Sequence, residues 1–392
     1  MIYLKDYQRT DFIVKHIDLT FDLAFELTLV HSVMQIQKES KKNVPLVLNG
    51  EYLNLLEVKL NENILHSIEY ELSDKTLTIH NTPDNFILSI KNTINPAKNK
   101  ALEGLYKADS ILCSQNEPEG FRRITYFIDR PDNMSIYTVK MIANKKDFPV
   151  LLSNGNLIEQ GNLEDGKHYT KWEDPFAKPS YLFAIVAGKL GFVQDSFLSL
   201  ENKKIDLFIY CDIGDENKCD YAMQSLKNAM KWDEERFNLI YDLDRYMIVA
   251  TDSFNMGAME NKGLNIFNSA YVLASQNNAT DDNYKGIESV IAHEYFHNYT
   301  GNKITCQNWF ELTLKEGLTV FRDQEFSADM NSKILQRISD VETLRFTQFV
   351  EDSSPIAHPI KPKSYEEINN FYTATIYEKG AEVIRMLQTL LG

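Results

Sequence analysis

From Ile17 to Leu29 every odd-numbered residue is apolar (Ile17, Leu19, Phe21, Leu23, Phe25, Leu27, Leu29), with Asp18, Thr20, Asp22, Ala24, Glu26 and Thr28 between them. Side chains on an extended backbone point alternately to two faces, so this period predicts one half-buried strand across the whole run. A chain that begins this way must first build a sheet with one packed and one wet face. Shorter versions of the pattern recur at VPLVLNG, KTLTIHN, NFILSIKN, RRITYFID, IYTVKMIA and YLFAIVAG, separated by turn formers. Ser153-Asn154-Gly155-Asn156, between VLL and LIE, reads as a hairpin turn. Residues 1–189 are therefore expected to form an antiparallel β domain.

Beyond that point the apolar spacing changes. KIDLFIYCD and DRYMIVATD still read as strands, but CDYAMQSLKNAMKWDEERF, NYKGIESVIAHEYFHNYT, LKEGLTVFRDQEFSADM and YEKGAEVIRMLQTLLG repeat every 3.6 residues, as helices do. Residues 190–392 thus predict a mixed α/β domain, and the chain as a whole an α+β protein of two packed units. In the last helix Val383, Ile384, Met386, Leu387, Leu390 and Leu391 make an apolar face with nothing after it to bury it. That ending reads as the truncated end of a longer protein.

Charge narrows the function. Lys and Arg total 41 against 56 Asp and Glu, a formal net charge of -15, and such a field repels nucleic acid and anionic membranes. No apolar run approaches the length of a membrane span, and the opening MIYLKDYQRTD lacks the basic-then-apolar pattern of a secretion signal. Cys113, Cys211, Cys219 and Cys306 form no C-x-x-C pair, so reduced thiols are expected. Together these features predict a cytoplasmic monomer with neither a nucleic-acid nor a membrane partner.

The chemistry lies in His293-Glu294-Tyr295-Phe296-His297, an H-E-x-x-H string inside a predicted helix that Asp281, Asp282 or Asn283 could cap. His293 and His297 are one turn apart and project from one face, so both imidazoles can reach one ion. Two surface histidines making a helix contact are the competing explanation. Catalytic zinc needs a third protein ligand, and Glu316 on the following helix can supply it. That helix could start at Asn308 or at Thr313, and in the second case Glu316 could simply close a capping box. Asp323, two turns further on, could orient a ligand imidazole or be an exposed helical acid. A His, His, Glu set resembles the thermolysin-type arrangement and implies one Zn2+ per chain, with Glu294 as the general base.

Upstream runs Asn255-Met256-Gly257-Ala258-Met259-Glu260-Asn261-Lys262-Gly263-Leu264-Asn265. GAMEN, followed by HEYFHNYTGN and LKEGLTVFRDQEF, resembles the zinc aminopeptidase family of the aminopeptidase N type, and within it the bacterial alanyl aminopeptidases. The resemblance implies an N-terminal β domain followed by a thermolysin-like catalytic domain, acting on peptides with a free N-terminus. It implies that Glu260 binds the substrate's α-ammonium and that the Gly257-Ala258 backbone lies along the peptide. CSQNEPEGF matches the family stretch that supplies a second carboxylate, at Glu117, with Glu119 close enough to compete and Gln115 as a further polar contact. FYTATIYEKGAEVIRM matches the motif around the oxyanion-stabilising tyrosine, at Tyr377, with Tyr372 nearby. Met256 is expected to line the first side-chain pocket and to allow broad specificity that includes alanine. A zinc endopeptidase and a non-catalytic fragment are the alternatives.

Overall fold

The first alternating run folds as a hairpin and not as one strand. In the computed structural model, which describes residues 1–392, strand Phe12–Leu23 turns over residues 24–27 and returns as Thr28–Lys38. Phe21 pairs with Val30 and Asp22 with Leu29, so facing residues have opposite parity. Odd residues Ile17, Leu19, Phe21 and Leu23 are buried in the first strand, even residues Val30, Met34 and Ile36 in the second. Leu27 and Leu29, in phase with the first strand only, are 63% and 37% exposed. Ala24-Phe25-Glu26-Leu27 contains no Gly, Pro, Asn or Asp, so nothing in its chemistry marks the turn.

This hairpin sits inside an eight-stranded sheet ordered Asn156–Asn162, Lys167–Lys178, Ser135–Asn144, Phe12–Leu23, Thr28–Lys38, Asn85–Ile94, Asn54–Leu60, Asn63–Ile64. All neighbours are antiparallel except Ser135–Asn144, which runs parallel to Phe12–Leu23. The expected purely antiparallel sheet is therefore corrected at one seam, where the long excursion between the strands frees their relative direction. A four-stranded antiparallel sheet, Gly104–Ala108, Ile111–Gln115, Ile185–Gly188, Val150–Ser153, shares its core. Phe121 joins the two, with ring centroids 4.9 Å from Phe127 and 5.1 Å from Phe183.

Two other expectations fail locally. RRITYFID forms no ladder: Phe121–Arg123 is a 3-10 turn, and Phe127 alone bridges to Asn49. Ile124, Thr125, Tyr126, Phe127 and Ile128 are all buried whatever their parity, so the segment packs on every side without strand pairing. Ser153-Asn154-Gly155-Asn156 is a crossing from the four-stranded to the eight-stranded sheet and not a hairpin. Gly155 has φ +85°, and a Cβ there would come 2.1 Å from the Glu173 carbonyl oxygen. The Asn154 amide satisfies the crossing backbone, donating to the carbonyls of Leu182 (2.9 Å) and Lys262 (2.8 Å) and accepting from the Ala184 N–H (2.7 Å).

In the second half a five-stranded mixed sheet, ordered Gly191–Leu198, Lys204–Cys211, Arg245–Thr251, Leu264–Asn268, Ala258–Met259, has a parallel centre and antiparallel edges. Helices α1 (Asp220–Phe237), α2 (Asp281–Phe296) and α3 (Leu312–Met330) pack together beside it. Helix α4 (Lys333–Thr343) continues through a π turn, Leu344–Gln348, into α5 (Phe349–Asp352). A second π turn, Thr375–Lys379, opens α6 (Gly380–Leu391). Helix α2 is capped by Thr280, one residue ahead of the expected acids: its hydroxyl accepts the Asn283 N–H, and the Asn283 side chain accepts the Thr280 N–H (2.9 Å). Asn308 caps the 3-10 turn leading into α3, and the Thr313 hydroxyl donates to the Ile360 carbonyl (2.6 Å).

The two halves are tied at several points. Ile2–Tyr3 pairs with Ser364–Tyr365, and the Tyr181 hydroxyl meets that of Thr305 at 2.8 Å. All four cysteines are unpaired and buried, and no helix is long and apolar enough to cross a membrane.

Candidate active site

Helix α2 carries His293 and His297 into the interior, and α3 crosses beside it so that Glu316 points at both. The two Nε2 atoms are 3.0 Å apart, and Glu316 Oε2 lies 3.5 Å from that of His293 and 3.4 Å from that of His297. A tetrahedral ion with bonds of ~2.0–2.2 Å separates its ligand atoms by about 3.3 Å, so this triangle has the dimensions of a zinc site. The far side of each ring is already held. His293 Nδ1 lies 2.6 Å from Asp323 Oδ2, and His297 Nδ1 lies 2.7 Å from the Thr300 carbonyl oxygen. With Nδ1–H donating outward, each Nε2 lone pair faces the shared point, the tautomer a metal requires.

Electrostatics follows from this crowding. Burial alone would lower the His293 pKa, but Asp323 and Glu316 hold it well above the ordinary range. Burial alone would raise Glu316, but Lys315 and the two imidazoles hold it well below. A group of acceptors that stabilises positive charge at the imidazoles stabilises a cation between them equally well.

Glu260, on the loop after the edge strand Ala258–Met259, and Glu117, after strand Ile111–Gln115, converge on one ammonium, that of Lys315. Lys315 Nζ donates to Glu117 Oε1 (2.7 Å), Glu316 Oε1 (2.6 Å) and Glu260 Oε1, all four residues being buried. The Tyr372 hydroxyl donates to Glu117 Oε1 at 2.8 Å. Burial, with Glu260 beside it, pushes the Glu117 carboxyl up to about 8 despite Lys315. Glu260, nearer the His297 ring and Lys315, is held below its ordinary value against the pull of burial. The carboxylates of Glu117 and Glu260 thus share one ammonium, that of Lys315.

Glu117, Met256, Gly257, Ala258, Glu260, His293, Glu294, His297, Glu316 and Tyr377 all line one cavity of about 610 Å³. Glu294 Oε2 is buried with no hydrogen-bond partner in the chain, and burial pushes its carboxyl well above the ordinary range. The Tyr377 ring lies 6.4 Å from that of His293 and nearly parallel to it. Gly317 on α3 favours this approach: a Cβ there would meet the Gly380 backbone at 3.0 Å, so a larger residue would push the tyrosine segment back by a few tenths of an ångström. Ala258–Met259 is the last strand of its sheet, leaving one edge for an added peptide strand. Gln115 does not line the cavity; its amide supports the wall from behind, 3.2 Å from the Glu117 carbonyl and 3.9 Å from Met256 Sδ. Glu119 turns away to Arg122 at 3.2 Å.

Lys315 and Arg322 are buried beside the site, and no local pattern in the sequence marks either of them. A lysine next to a candidate ligand on a helix carries no signal of burial, and only the fold shows three carboxylates around it. Arg322 donates to the carbonyl of Phe296 (2.9 Å), the last residue of α2, and to Asp233 on α1. It fixes the end of the helix from which His297 projects.

Comparison with known proteins finds matches along both halves of the chain. The family model for the peptidase M1 N-terminal domain matches residues 13–182, and that for the peptidase family M1 domain matches residues 221–392. The chain is 55% identical over 390 residues to Aminopeptidase N of Escherichia coli (strain K12), covering 100% of this chain and 45% of that protein. It is 53% identical over 391 residues to Aminopeptidase N of Haemophilus influenzae, again covering 100% and 45%. Among solved structures, Legionella pneumophila aminopeptidase A in complex with aspartic acid superposes with a TM-score of 0.93 at 35% identity, covering 100% of this chain and 45% of that one. The chain thus spans about half the length of the relatives it matches.

Proposed function

This chain belongs to the M1 peptidase family, and from that premise we propose that it carries the active site of a zinc aminopeptidase that removes N-terminal residues from peptides. We propose further that residues 1–189 and 190–392 are its two domains, and that it works as a cytoplasmic monomer, a setting that suits four unpaired thiols. The observation that carries the proposal is the adjacency of two receptors in one cavity: the His293, His297, Glu316 triangle and the Glu117, Glu260 pair.

His293, His297 and Glu316 would hold the zinc. Bound there, zinc supplies Lewis acidity and brings the pKa of a coordinated water to about 7. The all-carboxylate group Glu117, Glu260, Glu316 is the weaker candidate for an ion, because the Lys315 ammonium stands in its middle. Glu117 and Glu260 bind the substrate's α-ammonium, which is largely charged at neutral pH. Lys315 keeps the two carboxylates together at short range, offsetting their mutual repulsion. The free edge of Gly257-Ala258 aligns the peptide, and Met256, with its flexible thioether, lines the first side-chain pocket and accepts several residue types, alanine among them. Glu294 takes a proton from the attacking water and delivers it to the leaving amine. The Tyr377 hydroxyl donates to the oxygen of the substrate carbonyl as negative charge develops on it.

The test is the free amine. Zinc-loaded protein should hydrolyse alanine p-nitroanilide and leave its N-acetyl derivative intact, since the blocked nitrogen bears no charge for Glu117 and Glu260. Comparable rates on both would contradict the aminopeptidase assignment and favour an endopeptidase. Tyr377→Phe should lower kcat by about 10²-fold and leave KM within a few-fold, because the lost hydrogen bond forms in the transition state. A variant whose KM rises while kcat holds would assign Tyr377 to ground-state binding instead.

A further inference from the structure

Glu378 follows Tyr377 on the π turn and lines the same cavity, together with Val290, Thr343 and Thr347. The aminopeptidase chemistry gives it no task, and it is paired with no cation. The two basic residues nearest to it by sequence and contact are engaged elsewhere: Lys379, which follows it, with Asp352 (2.8 Å), and Arg385, which shares Gln324 with it, with Glu325 (2.7 Å). Its one polar partner is the Gln324 amide, at 3.3 Å. Burial, with Asp323 and Asp340 beside it, pushes the Glu378 carboxyl up to about 7. An acid so placed gains from any cation that reaches it.

Two threonine hydroxyls line the same cavity. Thr343 donates its hydroxyl proton to the Ser339 carbonyl at 3.1 Å, and Thr347 donates to the Thr343 carbonyl. Both hydroxyl oxygens therefore keep lone pairs to offer. The position matters as much as the chemistry. Glu117 and Glu260 stand on the His297 side of the ligand triangle, where Glu260 lies 3.9 Å from His297 Nδ1. Asp323, which bonds His293 Nδ1, and Glu378 stand on the His293 side. A peptide whose ammonium is fixed at the first pair and whose carbonyl meets Tyr377 must send its second residue toward the other side.

We propose that Glu378, with Thr343 and Thr347, forms a subsite for a cationic side chain at the second position of the substrate, selecting peptides with lysine or arginine after the scissile bond. The subsite rests on the aminopeptidase assignment for its place in the reaction. Its occupant is an ammonium or guanidinium group on a side chain long enough to reach past the His293 ring.

Ala-Lys-Gly and Ala-norleucine-Gly share the same four side-chain carbons and differ only in the ε-ammonium that norleucine lacks, so their ratio of kcat/KM isolates the contact. Zinc-loaded wild-type protein should favour the lysine peptide about tenfold, as one charge-assisted contact allows. Glu378→Gln should bring the ratio near one, and Glu378→Lys below one, whatever the absolute rates. The same two peptides titrated calorimetrically into zinc-loaded Glu294→Gln and Glu294→Gln/Glu378→Gln proteins give the ratio of dissociation constants without turnover. If wild-type protein cleaves neither peptide, the aminopeptidase assignment falls while the binding ratio still decides the subsite. A wild-type ratio of one, or a preference that survives Glu378→Gln in rates or in binding, overturns the proposal.

Discussion

Glu294→Gln is expected to keep one zinc per chain and to lower kcat by about 10³-fold. Glutamine preserves the shape of the side chain and removes the one atom that can take a proton. Glu294 sits on α2 beside His293, rotated away from the ligand face, so its replacement leaves the triangle of His293, His297 and Glu316 in place. Its Oε2 has no partner within the chain, and burial raises its proton affinity well above the ordinary carboxylate range, both of which suit a base that must receive a proton. Elemental analysis and steady-state kinetics on the same sample separate the two effects. A zinc-loaded variant with wild-type kcat would remove Glu294 from the chemistry.

The second large effect is on stability. Arg322→Ala should cost about 4 kcal/mol, the usual penalty for leaving one member of a buried ion pair alone. Arg322 joins Asp233 on α1 to the end of α2 and packs against the Phe296 ring at 4.8 Å. Burial holds the Asp233 carboxyl up at about 6 even with Arg322 present. A carboxyl whose folded pKa lies above its unfolded value of ~3.9 contributes stability that is complete below the unfolded value and is lost as pH rises through the folded one. Without the guanidinium the folded pKa moves higher still, so the variant should lose more at pH 8 than at pH 5. Denaturant unfolding at both values checks this; a loss below about 1 kcal/mol, or one equal at both, would show that Arg322 is no brace.

What the sequence makes legible in this chain is what depends on neighbours along it. His293 and His297 share a helix turn, and the GAMEN and HEYFH strings each lie on one short element, so composition and spacing speak for them directly. Lys315 is different: its surroundings come from Glu117 in the first half, Glu260 on an edge loop and Glu316 next door, and no local pattern brings these together. The hairpin at residues 24–27 is masked because Leu27 and Leu29 continue the odd-numbered apolar run past the turn, although the buried face of the second strand is even-numbered. RRITYFID shows the converse: its apolar residues lie in an irregular segment buried on all sides, with no ladder. Helix α4 carries its apolar residues Ile334, Leu335 and Ile338 on a face that this fold leaves exposed.

The central claim is where the metal sits. Diffraction from zinc-loaded crystals, measured on both sides of the zinc absorption edge, should show one anomalous peak within ~2.0–2.3 Å of His293 Nε2, His297 Nε2 and a Glu316 oxygen, with the Lys315 ammonium still between Glu117 and Glu260. A peak among Glu117, Glu260 and Glu316 with Lys315 displaced, or no peak at the two histidines, would contradict it.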